Sequence, residues 1–71
     1  MRKTLRADYE GFCLYMAKFG FPNCPLSFAQ FAVIYRKATL DQAYGIACDV
    51  NAGVSFLKAV RVNGVRLSHN A

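Results

Sequence analysis

Val60-Arg61-Val62-Asn63-Gly64-Val65-Arg66-Leu67 is the stretch on which the fold class turns. Aliphatic and polar residues alternate at a step of two on both sides of Asn63-Gly64, the pattern of a half-buried strand. Asn-Gly between two such runs is the strongest short-range hairpin signal, because a type I′ turn needs positive φ at both central residues. Folded this way, Val62 faces Val65, Arg61 faces Arg66 and Val60 faces Leu67. The four aliphatic side chains then share the face turned toward the rest of the domain, and the two arginines share the other. Like charges directly opposite one another disfavour pairing by up to about 1 kcal/mol. Such a face is better suited to holding phosphate oxygens between its guanidinium groups; blunting an exposed strand edge is the structural alternative.

Upstream of this stretch the apolar period becomes helical. Tyr9, Phe12, Met16 and Phe19 recur at steps of three and four, which predicts an amphipathic helix from about Ala7 to Phe19. Gly20 is its stop, with Pro22 beyond. Ser27-Phe28-Ala29-Gln30 has capping-box spacing, with Leu26 and Phe31 at the two staple positions. A second helix therefore starts at Phe28 and runs to about Lys37. Thr39-Leu40-Asp41-Gln42 repeats the spacing, giving a new helix from Leu40 to Ala47 rather than a continuation. A fourth short helix fits Ala52 to Ala59, capped by Asp49 or Asn51, with Val54, Leu57 and Phe56 inward. The expectation is a mainly α fold: three to four short helices followed by a C-terminal β-hairpin.

The 71 residues make a single small domain, 1–71. A composition that is 55% hydrophobic, with six Phe and four Tyr, supplies a core and excludes a charge-rich disordered tail. No apolar run reaches the roughly 18–20 residues that span a bilayer. Met1-Arg2-Lys3-Thr4-Leu5-Arg6 opens like a signal peptide, but Asp8 and Glu10 interrupt before an apolar segment forms. A cytoplasmic protein without membrane partners is expected. Cys13, Cys24 and Cys48 are odd in number and lack a C-x-x-C pair, which favours buried, reduced thiols over a disulfide scaffold or a metal site.

Catalysis requires converging titratable groups. Here Asp8, Glu10, Asp41 and Asp49 are scattered, and His69 is the only histidine, close to the C-terminal end. No glycine-rich phosphate loop and no nucleophile–base pairing can be assembled. The expectation is a non-enzyme with neither metal nor cofactor. The net charge of +5 points instead to an anionic partner, most often nucleic acid. Beyond Asp49 no acidic side chain occurs, while Lys58, Arg61 and Arg66 follow.

Short helices followed by a basic hairpin give the order of a winged helix-turn-helix. The segment from Thr39 to Val60 resembles the helix-turn-helix of small phage, plasmid and chromosomal repressors. Ala43 stands at the small position, Ile46 at the next core position, and Val54 and Leu57 resemble the apolar residues of the recognition helix. The motif's turn glycine is missing from Ala47-Cys48-Asp49, and Gly45 falls inside the first helix of the pair. The resemblance implies sequence-specific binding of double-stranded DNA by a small transcriptional regulator, a repressor by analogy, acting as a homodimer. It places Asn51 and Ser55 at base edges or phosphates, Lys58 at a flanking phosphate, and Arg61 and Arg66 on the wing. The arm Arg2, Lys3 and Arg6 adds neutralising charge. Tyr15, Phe19 and Tyr35 are candidates for a dimer surface or for ordinary core. The competing expectation is a phage- or plasmid-encoded inhibitor that docks on a host protein through exposed aromatics.

Overall fold

The computed structural model describes residues 4–67. Within them the chain forms four helices, α1 (Leu5–Lys18), α2 (Phe28–Ile34), α3 (Leu40–Asn51) and α4 (Phe56–Val62), and no strand. Each begins at a Ser or Thr whose hydroxyl accepts from the N3 amide: Thr4, Ser27, Thr39 and Ser55. The capping boxes Ser27/Gln30 and Thr39/Gln42 are both complete, with the glutamine side chains bonded back to the cap amides.

The expected β-hairpin is absent, and the wing is withdrawn with it. Residues Val60–Val62 are the last turn of α4, and Asn63-Gly64-Val65 is a Schellman ending. The Gly64 amide bonds to the Arg61 carbonyl and the Val65 amide to the Val60 carbonyl. Val60 and Val65 are both buried, supplying the apolar contact that accompanies this cap. A type I′ turn would need positive φ at both Asn63 and Gly64. Asn63 instead has φ −92°, and only Gly64 is positive, at 82°.

The same ending closes α1 at Phe19-Gly20-Phe21 and α3 at Ala52-Gly53-Val54. There the amides of Phe21 and Val54 reach back to the carbonyls of Met16 and Asp49. Gly20 and Gly53 have φ of 95° and 102°. α4 therefore starts after Gly53, with Ser55 rather than Asp49 or Asn51 as its cap, and α3 runs on to Asn51 instead of ending at Ala47. Gly53→Ala and Gly64→Ala should each lower stability by about 1 kcal/mol, because alanine is strained at positive φ. A Cβ at Gly53 meets nothing within 4 Å, so urea titration of that variant reads backbone strain alone.

Met16, Leu26, Ile34 and Ile46 are the largest fully buried side chains and tie all of the first three helices into one core. α4 joins that core through Ala59 and Val60. The connector between α1 and α2 is pinned by Tyr9, whose hydroxyl donates to the Leu26 carbonyl at 2.8 Å and whose ring meets Phe28 edge-on. Burial, with the thiols of Cys13 and Cys24 nearby, pushes the Tyr9 phenol up to about 12. Burial likewise pushes the Cys24 thiol up to about 11. Both groups are held neutral by the fold, while the unfolded chain releases their protons first. Stability should therefore fall as pH rises from about 9 to 11, where the unfolded state binds fewer protons than the folded one. Melting curves across that range check this, and Cys24→Ala should soften the decline.

Candidate nucleic-acid interface

α3, the turn Ala52–Ser55 and α4 make a helix–turn–helix corner. Its geometry depends on Asn63 at the end of α4. The Asn63 side-chain amide donates to Asp49 Oδ2 at 3.0 Å and to the Ala59 carbonyl at 2.8 Å. From the other end of α3, Gln42 Nε2 donates to the Asn63 backbone carbonyl at 3.2 Å. The space for this amide exists because residue 45 has no side chain: a Cβ on Gly45 would overlap Asn63 Oδ1. Three α3 positions thus hold the C-terminal end of α4 in one place. Nothing in the sequence reading pointed to Asn63 except as a turn residue.

Clamped in this way, α4 turns Ala59 and Val60 into the core and leaves Leu57, Lys58, Arg61 and Val62 exposed. At about 100° per residue these four form one continuous arc of roughly 140°. Ser55 adjoins the arc at its N-terminal end, where its hydroxyl is engaged by the Lys58 amide at a long 3.4 Å. Leu57, expected inward with Val54, is instead 67% exposed, while Val54 and Phe56 are the residues packed against the core. The sequence admits both phases, since only Lys58 and Arg61 are polar between Phe56 and Val62. Ala47 on α3 and Ala59 on α4 are both fully buried in the core.

Arg66 follows the Schellman turn and is exposed. Arg61 and Arg66 line one shallow hollow together with Leu57, Val60, Val65 and Leu67. The two arginines assigned to opposing strands therefore do not pair across a ribbon; they border one hollow at the end of α4. Lys58 lies on the adjoining part of the same arc. Asn51, the last residue of α3, is exposed on the turn side of the corner.

The remaining candidates are placed elsewhere. Arg6 lies on α1, its guanidinium carbon 4.3 Å from the Phe28 ring centroid, so its side chain is held in a cation–π contact within the α1–α2 pair and not on α4. Arg2 and Lys3 lie outside the described residues. Of the aromatics considered for a dimer surface, Tyr15 and Tyr35 are half-buried against the core, and only Phe19 is exposed, packed edge-on against Tyr44. No helix among the described residues is long and apolar enough to cross a membrane. Among the same residues no group of three or more His, Cys, Asp or Glu side chains is gathered as a metal site would require. Comparison with protein-family models, with curated proteins and with solved structures finds no match to this chain.

Proposed function

We propose that this protein binds double-stranded DNA through α4, seated in the major groove as the second helix of a helix-turn-helix, and acts as a small transcriptional regulator. The observation that carries this reading is the outward arc of α4. It presents Lys58 and Arg61 side by side, with Leu57 and Val62 at the two edges, and it contains no acid. The B-DNA major groove, about 12 Å wide, admits an α-helix. In that pose Lys58, Arg61 and Arg66 neutralise phosphates, Ser55 and Asn51 reach polar base edges, and Leu57 and Val62 meet thymine methyl groups. No wing takes part; Arg66 works from the chain end that leaves α4.

Two copies on paired half-sites would give such a small reading head adequate affinity. Leu14 on α1 and Phe19 at its C-cap offer exposed apolar surface for such pairing. The test is selection from a random duplex pool with the purified chain at low salt. Enrichment of a defined motif supports the reading. Recovery of no duplex at any salt concentration overturns it and leaves the exposed apolar residues of α4 as a surface for a protein partner.

A further inference from the structure

A second hollow shares no lining residue with the α4 arc. It opens where α1 passes the connector between α2 and α3, and holds about 620 Å³, inside the range of roughly 300–1,000 Å³ typical of small-ligand sites. Phe12, Ile34 and Ala43 belong to the buried core at its base. Tyr15 and Leu40 add apolar wall, and Gly11 leaves one side open, since a Cβ there would meet nothing within 4 Å.

Two opposite charges line this apolar space, Asp8 and Arg36, and both address the phenol of Tyr35. The Tyr35 hydroxyl donates to Asp8 Oδ2, and the Arg36 guanidinium carbon lies 5.5 Å from the Tyr35 ring centroid. The hydrogen bond to Asp8 chiefly raises the pKa of that phenol, burial adds to the rise, and Arg36 opposes it. Both charges therefore act on the same hydroxyl.

The backbone at Arg36 is unusual for this chain. α2 ends in a turn closed by the Lys37 amide on the Ile34 carbonyl, with Tyr35 at φ −59°, ψ 130° and Arg36 at φ 67°. That is a type II turn, whose third position favours glycine. The other three helices end with glycine at positive φ, and Arg36 is the only non-glycine so placed among the described residues. A strained conformation kept for a long cationic side chain, at the mouth of a hollow, is the kind of outlier that marks a binding site.

We infer that this hollow binds a free α-amino acid with a large apolar side chain. Its ammonium group meets Asp8, its carboxylate meets Arg36, and its side chain lies against Phe12, Tyr15 and Leu40. An amine alone would leave the Arg36 cation unused, and an acid alone would approach Asp8 with like charge. The inference stands apart from the DNA reading, because none of these residues belongs to α4.

The experiment is titration of the ¹⁵N-labelled full chain with L-phenylalanine, L-tryptophan and L-leucine, beside 2-phenylethylamine and 3-phenylpropionate. At least one amino acid should shift the Gly11, Ala38 and Leu40 amides and saturate below about 10 mM. The analogues lacking one charge should bind about tenfold more weakly or worse. Asp8→Asn and Arg36→Gly should each weaken binding by about tenfold or more. Arg36→Gly should also melt no lower than the parent, since glycine relieves the strain. Gly11→Leu, which fills the hollow from an exposed helical position, should abolish binding with the fold kept. Absence of saturable shifts with all three amino acids, equal binding of the amine or the acid, or retained binding by Arg36→Gly overturns the inference.

Discussion

Replacing Lys58 and Arg61 together by alanine is expected to weaken binding to duplex DNA by about 10- to 100-fold near physiological salt, if each side chain supplies one charge-assisted contact. It should also flatten the dependence of log K on log salt by about 1.8, at 0.9 per lost phosphate contact. Both residues are exposed on α4, and the side-chain hydrogen bonds that hold the corner among the described residues are those of Gln42 and Asn63, not theirs. Alanine has the highest helix propensity, so α4 should persist. The loss then reads the interface and not the fold, and an unchanged melting temperature checks that. Asn51→Ala should behave differently, altering preference among duplexes while leaving the salt slope alone, because base contacts specify and phosphate contacts position. Arg6→Ala serves as an internal control. Its guanidinium lies over Phe28 on the α1–α2 pair and not on α4, so its removal should change the slope far less than either α4 substitution. Binding that ignores salt, or that survives the double substitution, would show that α4 is not the DNA-facing element.

Helix starts were more legible in this chain than helix ends. The capping boxes at Ser27 and Thr39 give the first residues of α2 and α3 correctly, since two reciprocal hydrogen bonds fix a starting point that tertiary packing does not move. The ends depend on which residue takes positive φ, and here the chain uses one device three times: Phe19-Gly20-Phe21, Ala52-Gly53-Val54 and Asn63-Gly64-Val65. In each the apolar residue after glycine reaches back to the last turn. Gly20 is readable as a stop because Pro22 follows it. Gly53 is masked by Asp49 and Asn51, both good cap residues, so α4 is expected four residues too early. Asn63-Gly64 is ambiguous in itself, serving either a hairpin or a helix end. The continuous helix from the Ser55 cap decides it, because an isolated two-stranded ribbon is marginal in water. At α2 the end is set by Arg36, for which composition gives no signal at all, and the helix stops at Ile34 instead of about Lys37.

For the candidate site, charge was legible and geometry was not. Beyond Asp49 the sequence carries Lys58, Arg61 and Arg66 and no acid, and Arg61 and Arg66 line one hollow at the end of α4. The route by which they meet was misread, and so was the face of α4 on which Leu57 lies. Both depend on Asn63, whose role as a clamp needs Gly45, Asp49 and Ala59 to be brought together from two helices. No local pattern encodes that convergence.

The clamp makes a prediction whose sign is opposite to the usual rule. Glycine in a helix interior costs about 1 kcal/mol relative to alanine, so Gly45→Ala in an unobstructed helix would be stabilising. Here the new methyl group would displace the Asn63 amide and break its bonds to Asp49 and the Ala59 carbonyl. One of these is charge-assisted, so the loss outweighs the propensity gain, and Gly45→Ala should cost about 2 kcal/mol. Asn63→Ala should cost a similar amount, about 2 kcal/mol. Once Asn63 has been truncated the obstruction is gone, and adding Gly45→Ala to that background should be neutral or stabilising by up to about 1 kcal/mol. The double-mutant cycle would then show a coupling of about 2–3 kcal/mol in chemical denaturation. A Gly45→Ala protein more stable than the parent would mean that α3 and α4 do not meet at Asn63. The cycle also bears on function. With the clamp broken, α4 keeps its Lys58 and Arg61 but no longer holds them in one orientation. Asn63→Ala should therefore lower DNA affinity with little change in salt slope, separating the role of orientation from that of charge.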